Sequence, residues 1–142
     1  LCELIARTKK EKTRMDKRTA GMYSPLALAF LGDSVYEQLV RYELVLKANM
    51  PVGKLHNEAV KYVCCEFQSE ACDIIQPVLT EEELDIMRRG RNASGISAPK
   101  HSKVSQYRRA TSLECLFGYL YLTDNSDRIK ELFKKIWDTV EI

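Results

Sequence analysis

The chain has 142 residues, of which 45% are hydrophobic and 30% are charged, and its formal net charge is +2. This length and composition fit one globular domain with a core of its own, and they exclude a disordered chain. The longest apolar run, from Leu113 to Leu122, is interrupted by Glu114 and is too short to cross a membrane, so we expect no membrane association.

The sequence pattern predicts an all-α protein of about five to seven helices. Apolar residues recur at helical spacing along almost the whole chain, and no period-two strand pattern competes with them. Residues 1–20 carry seven basic and three acidic side chains, and we expect a charged N-terminal extension there. Residues 21–142 contain no internal repeat or low-complexity stretch and are predicted to form one domain.

The first two helices of this domain are predicted from their start and stop signals. Ser24 followed by a proline is a typical N-cap and first-turn pair, which predicts a helix over residues 25–47. Pro51 repeats the signal and predicts a second long helix to about residue 76, which Pro77 ends.

The second half of the chain begins with a capping box. Thr80 followed three residues later by Glu83 predicts a third helix that ends near Arg89. Glycine, proline and serine residues then predict a loop over residues 90–102. Two more helices are predicted at residues 104–122 and 126–140.

Two carboxylates lie in otherwise apolar stretches of the predicted helices. Residues 26–31 are apolar on every side, which predicts a buried central helix, and Asp33 follows directly. Glu114 is the only charged residue between Arg109 and Asp124. A buried, ionised carboxylate costs several kcal/mol or more without a partner, so each needs a cation, a hydrogen-bond network or solvent.

The neighbours of these carboxylates leave two interpretations open. Gly32 and Gly118 are small enough to let two helices approach closely or to leave room for an ion. Two oxygen ligands from facing helices suit Mg²⁺, which keeps several waters and accepts a phosphate oxygen. Alternatively, each carboxylate is paired with an arginine or with a hydroxyl such as that of Thr111 or Tyr36.

A basic segment precedes Glu114. Residues 86–113 carry seven basic side chains and no acidic one, although residues 21–85 have a net charge of −7. Such a segment can follow a phosphate backbone, whereas the alternative is an ordinary solvated loop. The candidate RNA contacts are Arg88, Arg89, Arg91, Asn92, Lys100, Lys103, Tyr107 and Arg108.

Other classes of chemistry find less support in the sequence. His101 has no second histidine nearby and is expected to be a phosphate contact or a bystander. No activated serine or cysteine is apparent, so water activated by a metal is the simplest chemistry. The five cysteines have no zinc-ligand spacing and the N-terminus has no secretory leader pattern, so we expect reduced thiols in a cytoplasmic protein.

The motifs resemble those of a known family. The run LALAFLGDSVYE from Leu26, the segment RGRNA from Arg89 and the run YRRATSLECLFGYL from Tyr107 are similar in order and spacing to the ribonuclease III catalytic domain. The closer match is the short Mini-ribonuclease III branch. The resemblance covers about residues 24–123.

This resemblance implies a homodimeric helical endoribonuclease that lacks a separate RNA-binding domain and a small-molecule cofactor. It implies that Mg²⁺, with Mn²⁺ as a substitute, supports hydrolysis of double-stranded RNA to 5′-phosphate and 3′-hydroxyl ends. The implied substrate is the 23S ribosomal RNA precursor. Asp33 takes the place of the signature aspartate and Glu114 that of the essential helix glutamate, both as catalytic residues and metal ligands.

The chain departs from the larger members of the family at two positions. Those enzymes have a glutamate one turn before the aspartate and an aspartate one turn before the glutamate, where this chain has Ala29 and Thr111. One alternative is therefore a non-catalytic RNA-binding scaffold on the same fold. Two others are a helical nucleotide pyrophosphohydrolase and a purely structural role for Asp33 and Glu114.

Overall fold

The computed structural model describes residues 15–100 and 103–140. Residues 1–14 of the predicted extension, and His101, lie outside these stretches. The described residues form seven α-helices, one 3₁₀ turn and no strand, which confirms the all-α prediction. The elements are α1 Lys17–Gly21, α2 Pro25–Lys47, α3 Val52–Val63, α4 Cys65–Ile75, the 3₁₀ turn Gln76–Val78, α5 Glu81–Arg91, α6 Val104–Leu122 and α7 Ser126–Trp137. None of these helices is both long enough and apolar enough to span a bilayer.

The predicted capping signals fix several helix boundaries. Helices α2 and α6 have the predicted bounds, and α2 has its proline in the first turn. At the start of α5, the Thr80 hydroxyl accepts a hydrogen bond from the Glu83 N–H (3.2 Å), and the Glu83 carboxylate accepts one from the Thr80 N–H (2.9 Å). Helix α5 continues two residues beyond Arg89, and α7 ends at Trp137 rather than near residue 140.

The prediction of one long helix over residues 51–76 is wrong, because the helix is interrupted at Cys64. This residue has an extended backbone (φ −69°, ψ 155°) between α3 and α4. The break lets α3 pack against α2 while α4 packs against α6. Side chains satisfy carbonyls that the break releases: the Tyr36 hydroxyl donates to Tyr62 O (2.7 Å), and Gln68 Nε2 donates to Val63 O (3.1 Å).

Helix α6 is the centre of the core. It is buried along most of its length and packs against α2, α4, α5 and α7. Helix α2 lies on it antiparallel, because Gly32 meets Glu114 whereas Leu28, one turn earlier, meets Gly118, one turn later. The sequence predicts that the start of α2 is buried on every side. The structure buries it on one side only, since Ala27 is exposed and Phe30 is 85% exposed.

Two glycines set the distance between these helices. A Cβ on Gly32 would lie 1.6 Å from the Glu114 carbonyl oxygen, and a Cβ on Gly118 would lie 1.9 Å from the Leu28 carbonyl oxygen. No side chain fits at either position, so the two backbones are in direct contact. Asp33 directly follows the first glycine, and its helix therefore crosses α6 at Glu114.

Candidate active site

The crossing of α2 and α6 places Asp33 and Glu114 in one cluster. Glu114 is half-buried between the helices, and the negative charge of Asp33 acts on it. Asp33 itself is exposed, so the prediction that both carboxylates are buried is wrong for this residue. The reason is the one-sided burial of α2, which leaves Asp33 on its solvent side. The cluster therefore opens to solvent through Asp33.

Both carboxyl groups resist ionisation. Burial, followed by the charge of Asp33, raises the pKa of Glu114 to about 8. Although Asp33 as a whole is exposed, partial burial of its carboxyl group, followed by the charge of Glu37, also raises the pKa of Asp33. Each shift arises because the charged form lacks water or a positive neighbour. A cation between the two carboxylates would supply that positive charge.

The alternative partners suggested by the sequence are engaged elsewhere. Within residues 15–100 and 103–140, neither Asp33 nor Glu114 forms an ion pair, and Arg109 pairs with Asp73. The Thr111 hydroxyl donates to Tyr107 O (3.0 Å). Because Tyr36 donates to α3, the hydroxyl groups considered above do not neutralise the carboxylates.

Gln68 is a member of the cluster that the sequence analysis missed. Its side chain is fully buried on α4, and its amide lowers the pKa of Glu114, against the larger effects of burial and of Asp33. A signal was present, since Gln68 shares an apolar face with Ala71, Cys72 and Ile75 at helical spacing. A polar residue on such a face requires a hydrogen-bond partner, and this requirement marks Gln68 as a candidate.

The donor set fits a divalent cation of the magnesium type. No group of three or more His, Cys, Asp or Glu side chains suited to a metal occurs among the described residues. Mg²⁺, however, is usually held by one or two carboxylates together with waters and substrate phosphates. Asp33 and Glu114 meet this requirement, whereas Ala29 and Thr111, both buried, add no carboxylate.

The basic residues divide into two groups. Arg89 and Arg108 are half-buried and bind backbone carbonyls: Arg89 donates to Gly21 O, and Arg108 donates to Arg91 O (2.9 Å) and Ala93 O (3.2 Å). These contacts fasten the loop that follows α5. Tyr107 is half-buried at the start of α6. The residues that face solvent are Arg88, which pairs with Asp85, and Arg91, Asn92, Lys100 and Lys103.

A groove connects part of the basic segment to α2, and we name it the polar groove for the arginine, asparagine and serine side chains in its lining. It has a volume of about 420 Å³ and is lined by Ser24, Pro25, Leu26, Arg88, Arg89, Asn92, Ala93 and Ser94. The Ser24 side chain does not cap α2, so the first N–H groups of this helix are free to bind an anion. The structure thus groups Arg88, Arg89 and Asn92 here, while Lys100, Lys103 and Tyr107 do not line this groove.

This groove lies on the same face of α2 as the carboxylate cluster. Leu26 precedes Asp33 by seven residues, which is close to two helical turns and about 10 Å along the axis. A polyanion bound at the N-terminus of α2 could therefore extend along the helix to Asp33.

Comparison with known proteins identifies the proteins that this chain resembles. Residues 26–125 match the ribonuclease III domain. The chain is 45% identical over 118 residues to the Mini-ribonuclease 3 of Thermoanaerobacter sp. (strain X514), covering 83% of each chain. It is 41% identical over 124 residues to the Mini-ribonuclease 3 of Brevibacillus brevis, covering 87% of this chain and 92% of that relative. The crystal structure of protein FN1578 from Fusobacterium nucleatum is similar with a TM-score of 0.74 at 30% identity, covering 82% and 93% of the two chains.

Proposed function

The chain belongs to the ribonuclease III family, in its Mini-ribonuclease III branch, and from this premise we propose a Mg²⁺-dependent endoribonuclease that uses Asp33 and Glu114. Enzymes of this family act on double-stranded RNA and generally use a divalent metal. The observation that carries the proposal is the pair of carboxylates without a positive partner, on the helix face that also carries the polar groove.

The proposed chemistry is hydrolysis of a phosphodiester bond. Asp33 and Glu114 would hold the cation, and the exposure of Asp33 gives a phosphate access to it. When bound, Mg²⁺ activates water and neutralises charge on the phosphate. Water attacks the phosphorus and the 3′ oxygen leaves, which gives a 5′-phosphate and a 3′-hydroxyl end. The chain itself supplies neither a nucleophile nor a further cofactor in this scheme.

RNA binding is proposed for the polar groove and the exposed basic residues. Double-stranded RNA is recognised mainly through its phosphates, its 2′-hydroxyls and its shape. The N-terminus of α2 with Arg88 and Asn92 would bind one phosphate, about 10 Å from Asp33. Lys100 and Lys103, both exposed, would add non-specific electrostatic attraction.

We also propose that the protein acts as a homodimer through Met22 and the exposed side of the N-terminal half of α2, around Phe30. Phe30 is 85% exposed and Met22 is 78% exposed, although both are large apolar side chains. Phe30 lies one turn before Asp33, so a second copy covering it would place two active sites near one RNA duplex. Light scattering tests this: the wild type should have twice the chain mass of 16.3 kDa, and Phe30→Glu should be monomeric. Val45→Glu, at a similarly exposed position on α2, is the control that should stay dimeric, and a monomeric wild type would contradict the proposal.

The proposed biological substrate is the 23S ribosomal RNA precursor, in the cytoplasm. The described cysteines, Cys64, Cys65, Cys72 and Cys115, are all free thiols, which suits a reducing compartment. The chain should cut a precursor duplex that contains the 23S ends in preference to an unrelated duplex of equal length. Equal cleavage of the two would contradict this assignment but would leave the nuclease activity intact.

The decisive experiment is cleavage of an end-labelled RNA duplex in Mg²⁺ or in EDTA. The wild type should cut only in Mg²⁺, whereas Asp33→Asn and Glu114→Gln should bind the duplex without cutting it. Both substitutions keep the side-chain size and remove one negative charge. If the wild type binds several duplexes and cuts none with Mg²⁺ or Mn²⁺, the scaffold alternative replaces the proposal.

A further inference from the structure

The interior of the candidate active site contains a polar atom that has no partner, the Oε1 of Gln68. Gln68 is 1% exposed, and its Oε1 is the one buried side-chain nitrogen or oxygen without a hydrogen bond among the described residues. A buried acceptor without a donor costs about 1–3 kcal/mol, so such an atom requires an explanation.

The amide of Gln68 is held firmly from one side. Its Nε2 donates to Val63 O at 3.1 Å, a carbonyl that the break at Cys64 releases from helical bonding. The amide faces the middle of α6, because Tyr36 packs on Phe117 with ring centroids 5.8 Å apart and donates to Tyr62 O, the carbonyl next to the one that Gln68 binds. The lowering of the Glu114 pKa by the Gln68 amide agrees with this position. The unpartnered oxygen belongs to this fixed group, so it lies within the same cluster as Glu114.

When a cation is bound, the donor that Oε1 lacks must come from outside the protein. An amide oxygen only accepts hydrogen bonds, and Asp33 and Glu114 are ionised when they hold a cation, so neither can donate. Water is the smallest molecule that donates to both kinds of oxygen. A cation held by two carboxylates also keeps several waters, and here more than usual because Ala29 and Thr111 supply no ligand.

We propose that Gln68 is a positioning residue whose Oε1 accepts a hydrogen bond from a water held between Glu114 and the cation. The bond from Nε2 to Val63 O keeps the amide in the orientation that this requires. Gln68 thus orients the waters that stand in for the missing carboxylates. This inference rests on the proposed function, because it requires a cation at Asp33 and Glu114.

The test is Mn²⁺ binding to the full chain without RNA, measured by calorimetry and by electron paramagnetic resonance. Gln68→Met keeps the length of the side chain and removes both polar atoms. We expect it to weaken Mn²⁺ binding by about 10-fold or more, which is the usual effect of removing a group that hydrogen-bonds to the ligands of a metal. Gln68→Glu keeps an acceptor oxygen at this place and should bind Mn²⁺ at least as tightly as the wild type.

Tyr36→Phe is the matched control. It removes the hydrogen bond to Tyr62 O, the carbonyl next to the one that Gln68 binds, without touching the unpartnered oxygen. It should unfold at a lower temperature in EDTA but bind Mn²⁺ as the wild type does. If Gln68→Met behaves in the same way, with lower stability and unchanged Mn²⁺ affinity, Gln68 serves the fold only and the inference is wrong.

Asp33→Asn separates failure of this inference from failure of the proposed function. If Asp33→Asn loses Mn²⁺ and Gln68→Met does not, the metal site stands and the role of Gln68 is refuted. If the wild type binds no Mn²⁺, or Asp33→Asn binds it unchanged, the proposed metal site is refuted and the inference is refuted with it.

Discussion

The close contact between α2 and α6 predicts that replacing Gly118 by alanine forces these two helices apart. In Gly118→Ala the new Cβ would lie 1.9 Å from the Leu28 carbonyl oxygen, whereas real Cβ atoms essentially never come closer than 3.0 Å to such an atom. Both groups belong to helix backbones, so rotation of a side chain cannot relieve the clash. The helices must separate by at least the difference, which is 1.1 Å.

The separation should affect activity more than binding. Gly118 lies one turn after Glu114 and outside the carboxylate cluster, so its methyl group would touch no proposed ligand. A displacement of about 1 Å between groups that must act together can lower kcat by about 100-fold. Overpacking of this kind also costs about 1–3 kcal/mol of unfolding free energy. Cleavage of labelled duplex under saturating Mg²⁺ measures kcat, and urea unfolding measures the stability.

Gly53→Ala is the control for this experiment. Gly53 is in the first turn of α3, and a Cβ there would meet nothing within 4 Å. This variant should keep the wild-type kcat and gain up to about 1 kcal/mol, because alanine is the better helix former. A Gly118→Ala protein with wild-type kcat and stability would refute the argument that the glycine contact positions Glu114.

Three further predictions concern charge. Because the pKa of Glu114 is about 8 in the folded chain and ordinarily 4.5, its contribution to stability is fully present below pH 4.5 and is lost as the pH rises to about 8. The unfolding free energy of Glu114→Gln in EDTA should therefore be higher than that of the wild type, and the difference should grow as the pH rises from 4.5 to about 8. A constant difference would contradict the raised pKa of Glu114. Replacing Lys100 and Lys103 together by Gln should reduce the slope of log binding constant against log salt by about 2, and an unchanged slope would remove them from the RNA surface. Arg128→Met should cost about 3 kcal/mol in urea unfolding, because Glu83, which accepts bonds of 2.7 and 2.9 Å from Arg128, would stay buried without an ionic partner and keep only the Thr80 N–H as a donor. A loss under about 1 kcal/mol would contradict this.

Local signals account for much of the correct fold prediction. The proline in the first turn of α2 and the capping box of Thr80 and Glu83 act within one helical turn, so the sequence displays them directly. The break at Cys64 has no such signal, since no glycine or proline is present there. It exists because α3 and α4 pack on different helices, and that is a property of the tertiary structure.

The sequence also reveals part of the candidate active site, but not all of it. Glu114 was visible as a charge within an apolar helix, and the structure brings it together with Asp33. The exposure of Asp33 was not visible, because α2 is apolar on the side that the protein leaves uncovered as well as on the side that it buries. Arg89 and Arg108 are predicted RNA contacts, and both also donate to backbone carbonyls, a structural role that a charge pattern does not reveal.

The absence of carboxylates at Ala29 and Thr111 has an electrostatic reason in this fold. Ala29 and Thr111 are 5% and 8% exposed, so a carboxylate at either position would be buried beside Glu114, whose pKa is already raised by burial and by the charge of Asp33. Small residues at these positions avoid that repulsion. In the proposed metal site, water and RNA phosphate would then complete the coordination of the cation. The cation and the RNA would each supply what the other lacks, so by linkage we expect each to raise the affinity of the protein for the other.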